Sequence, residues 1–107
     1  SLTVDHKYCN GDNACMDETY VCTAPTCLLT CDYGHSACRG MAYTCAPGSV
    51  CIVRCKSTGT HHYICRDLTL DATDATSLSV EVTDTFGIEA ARYADARCPG
   101  DGACAIA

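Results

Sequence analysis

The chain has 107 residues, a net charge of −6 at neutral pH, 48% hydrophobic residues counting cysteine, and no tryptophan. It is one small domain with too few bulky side chains for a thick core, and its acidity argues against nucleic acid or an anionic membrane surface as partner. Twelve cysteines point instead to a disulfide scaffold in an oxidising, extracellular setting. No apolar run approaches the roughly 20 residues of a membrane span. No signal peptide precedes Ser1, so a mature or trimmed secreted chain is expected.

In chain order, the opening phrase Leu2-Thr-Val-Asp-His6 returns as Cys27-Leu-Leu-Thr-Cys31, Cys51-Ile-Val-Arg-Cys55, Leu78-Ser-Val-Glu-Val82 and Cys104-Ala-Ile-Ala107. This divides the chain into repeats 2–26, 27–50, 51–77 and 78–103 and a partial repeat 104–107, with 24 to 27 residues in each full unit. The phrase supplies a first landmark (Leu2, Cys27, Cys51, Leu78, Cys104) and a second (His6, Cys31, Cys55, Val82). A third follows at Cys15, Cys38, Cys65 and Ala91, and a fourth at Cys22, Cys45, Ala72 and Cys98. Only the segment between the second and third landmarks varies freely in length, which marks it as the loop.

A period of this size indicates stacked units that bury their apolar faces against one another. Within each unit, Cys27-x-Leu29-x-Cys31, Cys51-x-Val53-x-Cys55 and Leu78-x-Val80-x-Val82 have the two-residue period of a strand with one buried face, and Pro-Gly and Asn-Gly-Asp turns lie between the strands. The unit is too short for two helices and their turns. It suits one coil of an all-β, disulfide-stapled parallel β-solenoid, with four coils and the start of a fifth stacked about 4.8 Å apart. The expected inward columns are Val4, Leu29, Val53, Val80, Ile106, then Ala14, Ala37, Ile64, Ala90, and Tyr20, Tyr43, Leu70, Ala96. Thr83 to Ala96, read alone, has good helix formers, but its gapless match to Lys7–Tyr20 favours coil geometry.

The degenerate repeats give the cysteine pairing. Ala72 and Leu78 replace both cysteines of one corner, and Val82 and Ala91 replace both of another. Loss in pairs implies bonding in pairs. Cys9, the extra cysteine of the first repeat, then serves Cys15. The connectivity is Cys9–Cys15, Cys22–Cys27, Cys31–Cys38, Cys45–Cys51, Cys55–Cys65 and Cys98–Cys104, each bond stapling one corner. Zinc held by Cys27, Cys31, Cys51 or Cys55 with His35, His61 or His62 is the competing reading; structural zinc sites show tighter Cys-x2-Cys pairs and ligands in fours. No metal or other cofactor is expected.

Other residues are read as surface. His61-His62 lies in the longest variable loop, Lys56–Ile64. Asp71, Asp74, Asp84, Asp95 and Asp101 fall at different corners, whereas a catalytic pair needs two acids to converge, so no enzyme is expected. Arg54 and Glu81 are read as an inter-coil ion pair, and Leu28 with Ile52 as a small outward apolar patch. An ice-binding surface would need a threonine ladder, and none of the columns holding the 13 threonines is threonine throughout. No Asn-x-Ser/Thr sequon is present; O-glycans on Ser or Thr stay open.

Tyr33-Gly34, Ala37-Cys38, Tyr43, Cys45, Pro47-Gly48, Cys51, Val53 and Cys55, within Cys31–Cys55, form a pattern that resembles cysteine-rich repeats found in tandem in secreted or surface proteins of algae such as diatoms and other stramenopiles. The resemblance reaches nearly the whole chain through the repeat, although positions 72, 78, 82 and 91 have lost their cysteines. It implies a structural extracellular module and attaches no catalytic residues.

The chain opens and stops at almost the same phase of its repeat. Head-to-tail stacking of copies through Leu2, Val4, Cys104 and Ile106 is therefore expected, giving a fibre or surface appendage. A secreted binding module of the pheromone, toxin or adhesin kind is the alternative, with its contact patch in the Lys56–Ile64 loop.

Overall fold

The computed structural model describes residues 3–57, 63–84, 91, 94–100 and 102–106. Among the described residues, nine short strands alternate between two parallel sheets. Strands β1 (Val4–Asn10), β3 (Thr26–Asp32), β5 (Val50–Ser57), β7 (Ser77–Asp84) and β9 (Ala103–Ile106) form one sheet in that order. Strands β2 (Thr19–Val21), β4 (Ala42–Thr44), β6 (Thr69–Asp71) and β8 (Asp95–Arg97) form the other. Every neighbouring pair is parallel and in repeat register, as in Cys27↔Cys51↔Leu78↔Cys104 and Tyr20↔Tyr43↔Leu70↔Ala96. The protein is an all-β parallel solenoid, with no helix among the described residues.

The third face is a ladder of another kind. Asn13, Cys15 and Asp17 in the first coil have left-handed backbones, as do Ser36, Cys38 and Gly40 in the second, Tyr63, Cys65 and Asp67 in the third, and Ala91 in the fourth. All have φ between 57 and 69°. A side-chain-bearing residue held there costs on the order of 1 kcal/mol. Two sets of hydrogen bonds offset this. Alternate amides close four-residue turns, Met16 N donating to Asn13 O, Arg39 N to Ser36 O and Leu68 N to Cys65 O. The left-handed residues join coil to coil, Cys38 N donating to Ala14 O, Cys65 N to Ala37 O and Ala91 N to Ile64 O, each at 2.8 Å. The sequence reading of this segment as a variable loop is thus incomplete: from Asn13, Ser36 and Tyr63 onward it is a regular, hydrogen-bonded face. Within it Gly34 is required by close approach, since a Cβ there would overlap the Gly11 backbone.

The core is narrow. Leu29, Val53, Ala37, Met41 and Ile64 are fully buried, as are the half-cystines at 27, 31, 38, 51, 55 and 65. The six disulfides join Cys9–Cys15, Cys22–Cys27, Cys31–Cys38, Cys45–Cys51, Cys55–Cys65 and Cys98–Cys104, the pairing given by the repeats. Bonds of successive coils stack: the Sγ atoms of Cys9, Cys31 and Cys38 lie within 4.8 Å of one another, and so do those of Cys31, Cys55 and Cys65. Ala72 and Leu78, which stand where sulfurs would be, remain buried.

The first repeat corrects the sequence reading. Asp5 pairs with Cys27, Lys7 with Leu29 and Cys9 with Cys31, so Cys9 is the regular second landmark and His6 is not. The Cys9–Cys15 bond closes the same corner as Cys31–Cys38, and that closure fixes the register three residues from the one the Leu2-x-Val4 phrase suggests. Lys7 therefore replaces Val4 in the inward column, and Val4 pairs with Thr26 on the outer side. The outward columns change too: His6 precedes Leu28, and Tyr8 precedes Thr30. Among the described residues, the match of Lys7–Tyr20 to Thr83–Ala96 fails in the strand, where Thr83 and Asp84 belong to the register that puts Val82 under Cys55 and Cys9, and holds at Cys15 with Ala91 and at Tyr20 with Ala96. Of that later stretch, Thr83 and Asp84 end β7, Ala91 is left-handed, and Asp95 and Ala96 lie in β8; residues 85–90, 92 and 93 lie outside the described residues.

Replacing Cys31 and Cys38 together by alanine is expected to lower stability by about 3 kcal/mol, from the released seven-residue loop and the cavity left in the sulfur column. The same replacement at Cys98 and Cys104, whose side chains are exposed, is expected to cost about half as much. Urea midpoints of the two variants measure the difference.

Candidate functional site

No convergent catalytic cluster stands out among the described residues, so the functional candidates are the first coil, the cavity beside the fourth, and one partly exposed aromatic and cationic group. At the first coil, the inward columns change chemistry. Where the second coil places Cys27, Leu29, Met41 and Tyr43, the first places Asp5, Lys7, Glu18 and Tyr20. The pairings Asp5↔Cys27, Lys7↔Leu29 and Tyr20↔Tyr43, and the Ala42 N to Glu18 O and Thr69 N to Met41 O bonds, fix these equivalences. The four polar side chains pair with one another. Lys7 Nζ lies 2.8 Å from Glu18 Oε1 and 4.9 Å from the centre of the Tyr20 ring, and the Tyr20 hydroxyl donates to the Asp5 carboxylate at 2.7 to 2.8 Å. Tyr20 in turn stacks on Tyr43, ring centres 5.6 Å apart and nearly parallel at 13°. A polar lid thus lies directly on the apolar core.

The far end carries no such lid among the described residues. Its inward side chains shrink to Val80, Val82, Ala91, Ala94 and Ala96, and these with Cys55, Leu68 and Leu70 line an apolar cavity of about 300 Å³. Ala103, Cys104 and Ala105 of β9 are exposed. Of the expected stacking residues, Val4 is 45% exposed on the outer side of β1, Cys104 and Ile106 lie on β9, and Leu2 lies outside the described residues.

Tyr63, 44% exposed, has the guanidinium groups of Arg39 and Arg66 each 4.9 Å from its ring centre. Arg39 and Arg66 follow the equivalent half-cystines Cys38 and Cys65 in successive coils. The sequence reading passed over this cluster, although the Cys-Arg dipeptide in both repeats was a signal for it.

The remaining expectations are placed as follows. Arg54 and Glu81 are in register and 3.1 Å apart; both are substantially exposed, so the pair contributes under about 1 kcal/mol. Leu28 and Ile52 are half-buried neighbours. Asp71 accepts hydrogen bonds from Thr73 N and Oγ1, which hold its carboxyl below the usual range. Asp74 and Asp95 are exposed. All twelve sulfurs are in disulfides, which leaves no thiolate among them to join His35 on a metal. His61, His62 and Asp101 lie outside the described residues, as does most of the Lys56–Ile64 loop.

These features define the class of molecule: a small parallel β-solenoid, stapled at its corners by disulfides and lidded at its first coil. No family model, no curated protein and no solved structure matches the chain.

Tyr43 is 1% exposed, and its hydroxyl has no hydrogen-bond partner among the described residues. Burial, followed by the charge of Asp5, pushes its phenol far above the ordinary range; the hydrogen bond to Asp5 raises Tyr20. A phenol whose pKa is higher folded than unfolded contributes stability that is complete below about pH 10 and is lost as pH climbs toward the folded value. Tyr43→Phe is therefore expected to raise stability by about 1 kcal/mol at pH 7 and to weaken the loss of stability above pH 10. Denaturant unfolding at both pH values checks this.

Proposed function

We propose that the protein is an extracellular structural protein, a stiff subunit that associates with copies of itself through the ends of its coil stack. One observation carries the reading: the coils repeat the same in-register parallel ladder under covalent corner staples, and an apolar cavity lies beside the fourth coil among the described residues. Exposed edges with apolar flanks are templates for further pairing. Six disulfides in so small a fold accord with an oxidising environment outside the cell. No described helix is long and apolar enough to cross a membrane.

A second reading, a secreted binding module, is favoured by the Arg39–Tyr63–Arg66 cluster, an aromatic and cationic spot in which Arg66 also lies 4.0 Å from the Asp67 carboxylate. It predicts an anionic ligand and a particle whose mass does not depend on concentration.

The structural reading is tested by Ala94→Asp, which sets a carboxylate at the mouth of the β9-end cavity on an exposed residue. Sedimentation of the wild type across concentrations should show association, and the variant should remain monomeric with unchanged circular dichroism. A wild type that stays monomeric at every concentration removes the proposal.

A further inference from the structure

We infer that the disulfides at one corner of the first three coils form a single exchangeable sulfur column, through which a thiolate opened in one coil passes to the next by intramolecular thiol–disulfide exchange. The inference is independent of how copies of the protein associate.

The column consists of Cys9–Cys15, Cys31–Cys38 and Cys55–Cys65. Cys31 is its crossing point. The Cys31 Sγ lies within 4.8 Å of Cys9 Sγ on one side and of Cys55 Sγ and Cys65 Sγ on the other, and Cys38 Sγ lies within the same distance of Cys9 Sγ. Exchange requires a thiolate placed against a disulfide sulfur, and each of these three bonds has a sulfur of another coil beside it. Cys9, Cys31, Cys38, Cys55 and Cys65 are all buried, so the reaction partners nearest to any thiolate among them are one another. The backbone also fits the products. Cys9 and Cys31, and Cys31 and Cys55, are register partners in adjacent parallel strands. Such strands run about 4.8 Å apart, inside the Cα separation of about 4.4 to 6.8 Å that disulfides adopt.

Each step balances. With Cys9 as thiolate, its sulfur bonds to Cys31 or Cys38, the Cys31–Cys38 bond breaks, and the electron pair leaves on the sulfur that was not attacked. Attack at Cys38 frees Cys31, which bonds to Cys55 or Cys65 and releases the other. One S–S bond forms for each one broken, so neither oxidant nor reductant is consumed and only the position of the thiolate changes. The opposite corner differs. Cys22–Cys27 and Cys45–Cys51 also stand in successive coils, but among the described residues no three of their sulfurs lie within 4.8 Å of one another.

Single substitutions that leave one known thiol test this. Cys15→Ala leaves Cys9, and Cys22→Ala leaves Cys27. Each folded, oxidised variant is held at mildly alkaline pH, quenched in acid, labelled with a maleimide in denaturant, and mapped as non-reduced peptides by mass spectrometry. In Cys15→Ala the label should move from Cys9 to Cys31, Cys38, Cys55 and Cys65, with new bridges from Cys9 to Cys31 or Cys38. The rate should rise about tenfold per pH unit while the thiol is mostly protonated. Cys22→Ala should keep its label on Cys27 over the same period. Cys65→Ala opens the column from the other side at Cys55, with a Cys31–Cys55 bridge and a label at Cys38 expected first, and it supplies the test where Cys15→Ala does not fold. A label that stays on Cys9 in folded Cys15→Ala, or on Cys55 in folded Cys65→Ala, overturns the inference. A label reaching Cys22, Cys27, Cys45 or Cys51 in either variant, or redistribution as fast in Cys22→Ala, overturns it equally, because exchange would then not follow the stacked sulfurs.

Discussion

The structure depends on holding each coil shut with very little core. A ring of some two dozen residues encloses only a few side chains, and the conformational entropy of ordering that many residues exceeds what a thin stripe of Leu, Val and Ala can offset by burial. The disulfides change both sides of this balance. Each closes a short loop, so the unfolded chain has less freedom to lose, and each leaves its sulfurs in the core as apolar filling. The stacked Sγ atoms of Cys9, Cys31, Cys38, Cys55 and Cys65 show the second role directly: along that corner the core is made of sulfur. Where the sulfurs stop, in the fourth coil, Val82 and Ala91 leave room for a cavity.

This dependence explains which features were legible in the sequence. The cysteine pairing and the register of the second, third and fourth coils could be read because disulfide geometry demands partners at fixed short spacing, and because paired losses such as Ala72 with Leu78 mark a corner even without its sulfurs. The left-handed face could not. Its signature would ordinarily be glycine or asparagine, the residues that bear positive φ at little cost, yet most of its positions hold Cys, Asp, Ser, Tyr or Ala. At Cys38 and Cys65 a disulfide and an inter-coil hydrogen bond impose the conformation from both sides, and at Asp17 and Ala91 the inter-coil hydrogen bond acts alone; neither constraint has a local sequence signal.

The first coil was misread for a related reason. Leu2-x-Val4 looks like Cys27-x-Leu29, and this hydrophobic similarity competes with the position of Cys9. Covalent closure is the stronger determinant, and it moves the whole strand by three residues. The charges at Asp5, Lys7 and Glu18 then become intelligible. The column that reads Leu29, Val53 and Val80 below carries at Lys7 a charge that Glu18 pairs and that stays partly exposed. The same alignment on Cys9 would have exposed the lid in the sequence.

The two ends thus differ in kind, although the repeat that builds them is the same. In a solenoid the interior columns are under identical constraints from coil to coil, so variation along a column records what lies above and below each position. Going down the stack, one column changes from Glu18 to Met41 to Leu68 to Ala94, and another from Tyr20 to Tyr43 to Leu70 to Ala96. Charge and a phenol hydroxyl stand where the stack meets solvent, bulk stands in the middle, and small apolar groups stand beside the cavity. A stack meant to grow equally from both ends would need matching surfaces at top and bottom. These gradients run in one direction, and they give the rod a polarity that its backbone symmetry alone does not have.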